Sequence, residues 1–172
     1  MKYIFLAGVH AVGKTTLTKE LEKKIDIVSY SISDLIRKSG NNIPKNEKKT
    51  KDISNNQVLW IKELQNLNVE NSTLILDGHF TLLNENEEVV PIDFNVFEKT
   101  NMDKIILIKQ NPKEIKRRLL NRDGNEYSLD KIEFHQSKEE EFAKKYAKTK
   151  QIPIYIYDSN SDLESLVIFI DS

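Results

Sequence analysis

Gly8-Val9-His10-Ala11-Val12-Gly13-Lys14-Thr15 stands between an apolar run and an amphipathic segment. It fits the pattern G-x-x-x-x-G-K-[ST], the phosphate-binding P-loop. The apolar run before it, residues 3–7, has the length of a buried strand, and Leu17, Leu21 and Ile25 after it recur at helical spacing. A glycine loop between a strand and a helix directs backbone N–H groups at an anion. The sequence therefore predicts a binding site for a nucleotide di- or triphosphate.

The predicted phosphate-binding residues lie in this loop and in the first helical turn: Gly8, His10, Ala11, Val12, Gly13, Lys14, Thr15 and Thr16. In such a loop the lysine reaches the β- and γ-phosphates, and the following hydroxyl binds Mg²⁺. We therefore expect Lys14 to act in catalysis as well as in binding, and Thr15 to be a metal ligand.

Length and composition limit the class of protein. The 172 residues suit one domain with a sizeable core, and we expect a single P-loop domain over residues 1–172. The formal net charge is −1, so no global positive field attracts nucleic acid. Cysteine is absent, which excludes disulfides, thiolate metal sites and a thiol nucleophile. No apolar run has the length that spans a bilayer, so the sequence predicts a soluble, cytoplasmic protein with no membrane partner.

Apolar strands and amphipathic helices alternate along the chain, which is typical of an α/β domain with a parallel sheet. Besides the first strand, strands are predicted at residues 25–30, 73–77, 104–109 and 152–157. Helices are predicted at residues 32–40, 53–67, 112–124, 128–150 and 161–170, with a short one within 91–100. The polar, lysine-rich segment 41–52 is predicted to be either a mobile loop or a substrate flap.

A carboxylate and three imidazoles are candidate site groups. Asp77 closes the strand expected beside the P-loop strand, where a carboxylate helps hold Mg²⁺; the alternative is an aspartate that caps the next turn. His79 follows two residues later, so Asp77 and His79 can present a carboxylate and an imidazole together, unless the histidine only stabilises the loop. His10 can face the transferred phosphate, and His135 is expected on a helix surface. The histidines lack metal-ligand spacing, so no zinc site is predicted.

Arginines supply the candidate charge clamps. Arg118 and Arg122 lie four residues apart and share one helix face, whereas Arg117 lies about 100° round the helix. Planar cations suit the negative charge that phosphoryl transfer spreads over the transferred oxygens. The alternative is a solvated basic helix face. Arg37 follows the second strand, where an acceptor phosphate can sit, although a helix-end arginine near the C-terminal dipole explains it equally well.

Taken together, these residues resemble nucleoside monophosphate kinases, and most closely the archaeal-type adenylate kinases and the small adenylate-kinase-like proteins related to them. The resemblance covers nearly the whole chain, although only the P-loop is specific by itself. Beyond the P-loop it rests on Asn56-Gln57, Leu76-Asp77-Gly78-His79, Asn111-Pro112-Lys113-Glu114-Ile115, Arg118 with Arg122-Asp123, and Phe134-His135-Gln136 with Ala143 and Ala147.

The resemblance implies a P-loop NTPase fold, a three-layer α/β/α sandwich with a five-stranded parallel sheet and a short lid. It also implies ATP with Mg²⁺ as the phosphoryl donor. The residues expected to carry the transfer are Lys14, Thr15, Asp77, His79, Arg118 and Arg122, and those expected towards the acceptor are Ser33, Arg37 and Gln57.

Three departures from the family pattern bear on activity. Ala11 replaces a glycine that is common in these loops, and Asn111 replaces an aspartate. The expected lid, Gly124-Asn125-Glu126-Tyr127, lacks the further arginines of typical lids. Fewer clamps point to a slower kinase, a different acceptor, or nucleotide binding with little transfer.

Three functions are weighed on this basis. The leading hypothesis is a Mg-ATP-dependent kinase acting on a nucleoside monophosphate or a similar small molecule. The second is an ATP-binding or ATPase switch module acting on a protein partner. A nucleic-acid-end kinase is disfavoured because the sequence has no extended basic stripe.

Overall fold

The structure is a computed structural model that describes residues 1–39, 53–84, 86–124 and 127–172. Its strands are β1 (Lys2–Ala7), β2 (Ile27–Ser31), β3 (Thr73–Gly78), β4 (Thr81–Leu83), β5 (Val89–Pro91), β6 (Asn101–Ile108) and β7 (Ile154–Tyr157). Its helices are α1 (Lys14–Leu21), α2 (Ile32–Lys38), α3 (Ile53–Asn66), α4 (Phe94–Glu98), α5 (Pro112–Asp123), α6 (Leu129–Lys150) and α7 (Leu163–Asp171). Five parallel strands form one sheet in the order β2-β3-β1-β6-β7, and β4 and β5 form a separate antiparallel hairpin.

Helices cover both faces of the parallel sheet, because successive strand side chains point to opposite faces. In β1, Tyr3, Phe5 and Ala7 belong to one apolar core, and Ile4 and Leu6 belong to the other. The first core is closed by α2, α3, α4 and most of α6, and the second by α1, α5 and α7. The predicted three-layer α/β/α fold with a five-stranded parallel sheet is thereby confirmed.

The strand register places candidate site residues together at one edge of the sheet. Ser31 at the end of β2 lies opposite Asp77 of β3, and Asp77 lies opposite Leu6 of β1. Gly78 lies opposite Ala7, the last residue before the P-loop. The carboxyl ends of three neighbouring parallel strands therefore meet where ligands of open α/β sheets bind.

The elements follow the predicted order, and β2 (Ile27–Ser31) and β7 (Ile154–Tyr157) each begin two residues later than predicted. β6 begins at Asn101, three residues earlier than predicted, and the β4–β5 hairpin was not predicted. Strands of three residues are too short to show an alternating pattern, so the segment 81–91 gave no strand signal. The predicted flap 41–52 and residues 125 and 126 of the predicted lid lie outside the described residues.

The described helices include none that is suited to cross a membrane. Within residues 1–39, 53–84, 86–124 and 127–172, no helix combines the length and the apolar character needed to cross a bilayer.

Candidate functional site

The P-loop has the backbone that its glycines make possible. Gly8 and Gly13 have φ angles of 148° and 118°, and Ala11 has a φ angle of 61°. A Cβ at Gly8 would lie 3.0 Å from the carbonyl oxygen of Ile108, so a side chain is excluded there by space as well as by conformation. The loop ends at Gly13, the N-cap residue of α1, and α1 begins at Lys14. The first N–H groups of a helix have no partner within it, so they are available to an anion bound at the loop.

Lys14 lies at the centre of the site. Its side chain is buried, and Nζ donates hydrogen bonds to the carbonyl oxygens of Gly8 and, at 3.3 Å, Val9. The same Nζ lies 3.6 Å from Oδ1 of Asp77. Burial raises the pKa of the Asp77 carboxyl, and the Lys14 ammonium opposes that rise. The structure thus brings together the lysine and the carboxylate that the sequence predicts for phosphate and metal.

The donor groups present at this position fit Mg²⁺. Thr15 and Thr16 are exposed at the first turn of α1, and the Asp77 carboxylate lies at the end of the neighbouring β3. Hydroxyl and carboxylate oxygens are the ligands that Mg²⁺ prefers, and this ion usually takes only one or two protein groups beside phosphate oxygens and water. Among the described residues, no cluster of three or more acidic or imidazole groups forms a self-sufficient metal centre. Thr15 and Asp77 are therefore the residues that would hold the ion together with a nucleotide.

His10 and His79 form a pair beside the lysine. Their ring centroids are 4.4 Å apart, with 49° between the ring planes. The Nδ1 atom of His79 is buried and has no hydrogen-bond partner. Burial lowers the pKa of His79 well below its ordinary value, and Lys14 and His10 lower it further. The imidazole of His79 is therefore neutral and carries an unused polar atom close to the P-loop.

A cavity of about 80 Å³ opens next to this pair. Its polar lining consists of His10, Ser31, Ser33, Asn56, Gln57, Asp77 and His79, and its remaining lining of Ile32, Ile36, Gly78, Leu82, Ile92 and Phe97. Two of the three residues predicted towards the acceptor, Ser33 and Gln57, thus lie on the cavity. The third, Arg37, is not among the described lining residues. It forms an ion pair with Asp34 one turn earlier on α2.

The carboxamide of Gln57 has a fixed orientation. Trp60 Nε1 donates a hydrogen bond to Gln57 Oε1 at 2.7 Å, and both side chains are buried. Asn56, which is 3% exposed, precedes it on the cavity wall. The indole therefore holds the oxygen of Gln57, so the N–H₂ group of the amide points away from the Trp60 indole.

Arg118 contacts the P-loop, whereas Arg122 does not share that contact. Nη1 of Arg118 donates to the carbonyl oxygens of Ala11 at 3.3 Å and Val12 at 3.1 Å. Its Nε donates to Oε1 of Glu114 at 2.8 Å. The side chain of Arg122, one turn further along α5, is exposed. Of the two predicted clamp arginines, Arg118 is the one that the structure brings to the loop.

Glu114 anchors this arginine. It accepts hydrogen bonds from Arg117 and Arg118, and these bonds lower the pKa of the Glu114 carboxyl to about 2. Glu114 is therefore ionised whenever the protein is near neutral pH, and it holds the guanidinium of Arg118 over the loop.

Helix α6 carries a buried clamp that was not predicted from the sequence. Glu139, which is 1% exposed, accepts hydrogen bonds from the backbone N–H groups of Phe80 and Thr81 and from the Thr81 hydroxyl, at 2.5–2.8 Å. His135, one turn earlier, is buried with Nε2 3.4 Å from the carbonyl oxygen of Thr81. The predicted surface position of His135 is therefore wrong: α6 packs on the β3–β4 connection through this side chain. The two residues fix the segment that follows His79.

The spacing of the α6 side chains contains a signal for this clamp. His135 and Glu139 lie eight and four residues before Ala143, on one buried stripe that continues to Ala147. A carboxylate in the middle of a buried stripe indicates that hydrogen-bond donors are buried against it.

Comparison with known proteins agrees with this geometry. A family model described as an AAA domain matches residues 7–135, from the last residue of β1 into α6. The chain belongs to this AAA-domain family. No curated protein matches the chain.

Solved structures extend the comparison to the fold of the whole AAA-domain chain. A gluconokinase from Sinorhizobium meliloti 1021 is similar with a TM-score of 0.50 and 12% identity, over 98% of this chain and 89% of that chain. An uncharacterized protein from Eubacterium ventriosum ATCC 27560 matches with a TM-score of 0.49 and 12% identity, over 99% and 98% of the two chains. The first likeness establishes a P-loop kinase-like fold, while the closer resemblance to archaeal-type adenylate kinases stays a prediction.

Proposed function

We propose that this protein is a Mg-ATP-dependent phosphotransferase that moves the γ-phosphoryl group of ATP to a small molecule bound in the cavity. The observation that carries the proposal is the position of Asp77. Its carboxylate lies 3.6 Å from the P-loop lysine Nζ and also lines the cavity. The predicted phosphate donor and the candidate acceptor cavity therefore adjoin at one side chain.

Each group has a role that its contacts support. The N–H groups of the loop bind phosphate oxygens, and Lys14 moves from the loop carbonyls to the β- and γ-phosphates. Thr15 and Asp77 would hold Mg²⁺, which neutralises charge on the phosphates when bound. His79 and His10 line the acceptor side, and Arg118 supplies a planar cation at the rim of the loop.

The transfer itself needs positioning and charge neutralisation more than covalent chemistry. The acceptor oxygen forms a bond to the γ-phosphorus, and the bond to the β–γ bridging oxygen breaks and releases ADP. A hydroxyl acceptor loses its proton to solvent as the new bond to phosphorus forms. A nucleoside monophosphate, which the resemblance implies, and the acceptor of the gluconokinase are both small phosphoryl acceptors, and this proposal covers either class.

Product analysis tests the proposal. The protein is incubated with Mg-ATP and a panel of nucleotides, nucleosides and sugar derivatives, and products are followed by ³¹P NMR and mass spectrometry. We expect ADP to form together with one phosphorylated panel member. ADP with inorganic phosphate alone, across the whole panel, would favour the ATPase switch module instead.

Two lysine substitutions on α1 test whether the P-loop is the ATP-binding site. Lys14→Ala is expected to abolish transfer and most ATP affinity with the fold intact, because Lys14 serves the phosphates. Lys19→Ala removes an exposed lysine of the same helix and is expected to leave both unchanged. Unchanged ATP binding in Lys14→Ala would contradict the P-loop assignment.

A further inference from the structure

Helix α6 contacts the connection between β6 and α5 through the side chain of Gln136. The backbone N–H of Gln110 donates a hydrogen bond to Gln136 Oε1 at 2.9 Å, and Gln136 Nε2 donates one to the carbonyl oxygen of Gln110 at 3.0 Å. The carboxamide therefore bonds both backbone groups of one residue, as the opposite residue of an antiparallel strand pair does. Only a side chain that carries a donor and an acceptor at this spacing makes both bonds.

The same connection sets the start of α5. The backbone N–H of Asn111 donates to Gln110 Oε1 at 2.8 Å, and the Asn111 side chain, at the N-cap of α5, accepts from the N–H of Lys113. Pro112 follows in the first turn, where its fixed φ angle restricts the chain further. The direction in which α5 leaves the connection therefore depends on Gln110, which Gln136 holds.

The placement of Arg118 is sensitive to that direction. Arg118 follows Pro112 by six residues, which is about 9 Å along a helix, so a tilt of roughly 10° at the start of α5 moves it by roughly 1.5 Å. Glu114, one turn earlier on α5, holds Nε of Arg118 at 2.8 Å, so the guanidinium moves with the helix. Its bonds to the loop carbonyls, at 3.1 and 3.3 Å, are already near the long end of the hydrogen-bond range. A shift of this size breaks them.

Other contacts restrain α5 with less directionality. Ile115 and Leu119 are buried in the second apolar core, and the hydrophobic attraction that holds them against the sheet is non-directional. Lys109 Nζ lies 2.6 Å from Oε2 of Glu140 on α6, but both side chains are partly exposed, and such ion pairs contribute little. The two amide bonds of Gln136 supply the directional restraint.

We infer that Gln136 is a positioning residue for the transfer: through the backbone of Gln110 it sets the direction of α5, and with it the placement of Arg118 on the P-loop. The inference rests on the proposed function, in which Arg118 supplies a planar cation to the phosphates. Gln136 acts through α5 rather than on the nucleotide. Turnover therefore depends on Gln136 only as long as Arg118 is present.

A double-mutant cycle tests this dependence. Gln136→Met keeps the length of the side chain and removes both amide bonds. With Arg118 present, we expect turnover with Mg-ATP, followed as ADP release, to fall about fivefold or more, with ATP affinity within about twofold of wild type. In the Arg118→Ala background, the same substitution is expected to change turnover by less than about twofold, because the group that it positions is gone. Equal losses in the two backgrounds, or wild-type turnover in Gln136→Met, would overturn the inference.

Two further variants keep the test decisive. Gln136→Glu retains an acceptor for the N–H of Gln110 and loses the donor to its carbonyl, and it replaces Gln136→Met, with the same expectations, if that variant fails to fold. Tyr3→Phe is the stability control, because it removes the hydrogen bond at 2.7 Å between the hydroxyls of Tyr3 and Thr100, in the core on the other face of the sheet from α5. It is expected to leave turnover unchanged. A loss of turnover in Tyr3→Phe equal to that in Gln136→Met would make Gln136 merely structural.

A second readout does not need activity. The carbonyls that accept from Arg118 belong to the peptide groups that join Ala11 to Val12 and Val12 to Gly13, so the amide NMR signals of Val12 and Gly13 in ¹⁵N-labelled protein report the contact. We expect Gln136→Met to shift both signals in the same direction as Arg118→Ala, and Tyr3→Phe to leave them in place. Unshifted signals in Gln136→Met, with those of Arg118→Ala shifted, would overturn the inference. Absence of ADP release by the wild-type protein, with the expected shifts present, would count against the proposed function alone.

Discussion

Arg118 donates a hydrogen bond from Nη1 to the carbonyl oxygen of Val12 at 3.1 Å, across 106 positions of the chain. The same nitrogen contacts the carbonyl of Ala11, and Glu114 holds the other side of the guanidinium. A Cβ built on Gly13 would lie 3.1 Å from Nη1, so the arginine also occupies the space over the last glycine of the loop. Helix α5 is therefore tied to the P-loop backbone, and Arg118 has to exchange loop carbonyls for phosphate oxygens to act as a clamp.

This contact gives the first prediction. Arg118→Ala is expected to lower turnover at least tenfold, and more than it lowers ATP affinity, because its interactions with phosphate strengthen as charge develops in the transition state. Steady-state kinetics and ATP titration measure the two effects. Arg117→Ala is the matched control, since Arg117 bonds to the same Glu114 but is more exposed, and it is expected to change turnover less than twofold.

A substitution of Arg122 tests whether both arginines on this face of α5 contribute to turnover. Arg122→Ala is expected to lower turnover in the same way if the site closes on the nucleotide, as the sequence predicts. Equal and small effects of Arg118→Ala on turnover and affinity would contradict the clamp role and favour a binding module.

Asp77 gives the second prediction. Asp77→Asn is expected to keep the strand, because the side chains have nearly the same shape, and to reduce Mg²⁺-dependent turnover more than tenfold, a loss of about 1.4 kcal/mol of transition-state stabilisation. A Mg²⁺ titration of the initial rate measures it. Asp26→Asn, an exposed aspartate that precedes β2, serves as the control and is expected to behave as wild type. A wild-type rate for Asp77→Asn at every Mg²⁺ concentration would make Asp77 a turn cap.

The sequence predicted those parts of the fold that have long periodic patterns. Five parallel strands and the longer helices follow from apolar runs and helical spacing, and Gly124, with a φ angle of 69°, ends α5 as predicted. The three-residue strands β4 and β5 were missed because such short segments show no alternating pattern, and their contact with α6 is a tertiary contact that a local pattern does not contain.

The site was predictable where one motif fixes it and unpredictable where tertiary contacts decide it. The P-loop specifies the position of Lys14, and the strand end specifies that of Asp77. Three contacts decide the rest of the site: Arg118 on the loop carbonyls, Arg37 on Asp34, and Glu139 on the β3–β4 segment. They join segments distant in sequence or depend on a side chain's rotamer. Helical spacing alone does not determine such contacts.

Glu139 gives the third prediction. Glu139→Gln is expected to lower the free energy of unfolding by about 1–3 kcal/mol, because the amide N–H₂ cannot accept one set of the buried hydrogen bonds from Phe80 and Thr81. Urea denaturation measures it. Glu141→Gln, on the same helix in an exposed pair with Lys138, is expected to cost less than about 0.5 kcal/mol. Equal effects of the two substitutions would contradict the clamp.

Ala11 gives the last prediction, because it is both a departure from the family pattern and a residue in a left-handed conformation. Its φ angle of 61° costs a residue with a Cβ about 1–2 kcal/mol. Ala11→Gly removes this strain but gives the unfolded chain more conformational freedom, worth about 0.5–1 kcal/mol. We expect the free energy of unfolding to rise by about 0.5 kcal/mol, which corresponds to a rise in Tm of about 1–2 °C. The ATP affinity is expected to stay within twofold of wild type because the loop N–H and carbonyl groups are unchanged.

Ala147→Gly is the matched control, at a buried helical position of α6 where the φ angle is not positive. It is expected to lower the free energy of unfolding by about 1 kcal/mol or more. Thermal unfolding of the two variants side by side decides the matter: a loss of stability in Ala11→Gly comparable with that in Ala147→Gly would mean that the P-loop stores no strain at Ala11.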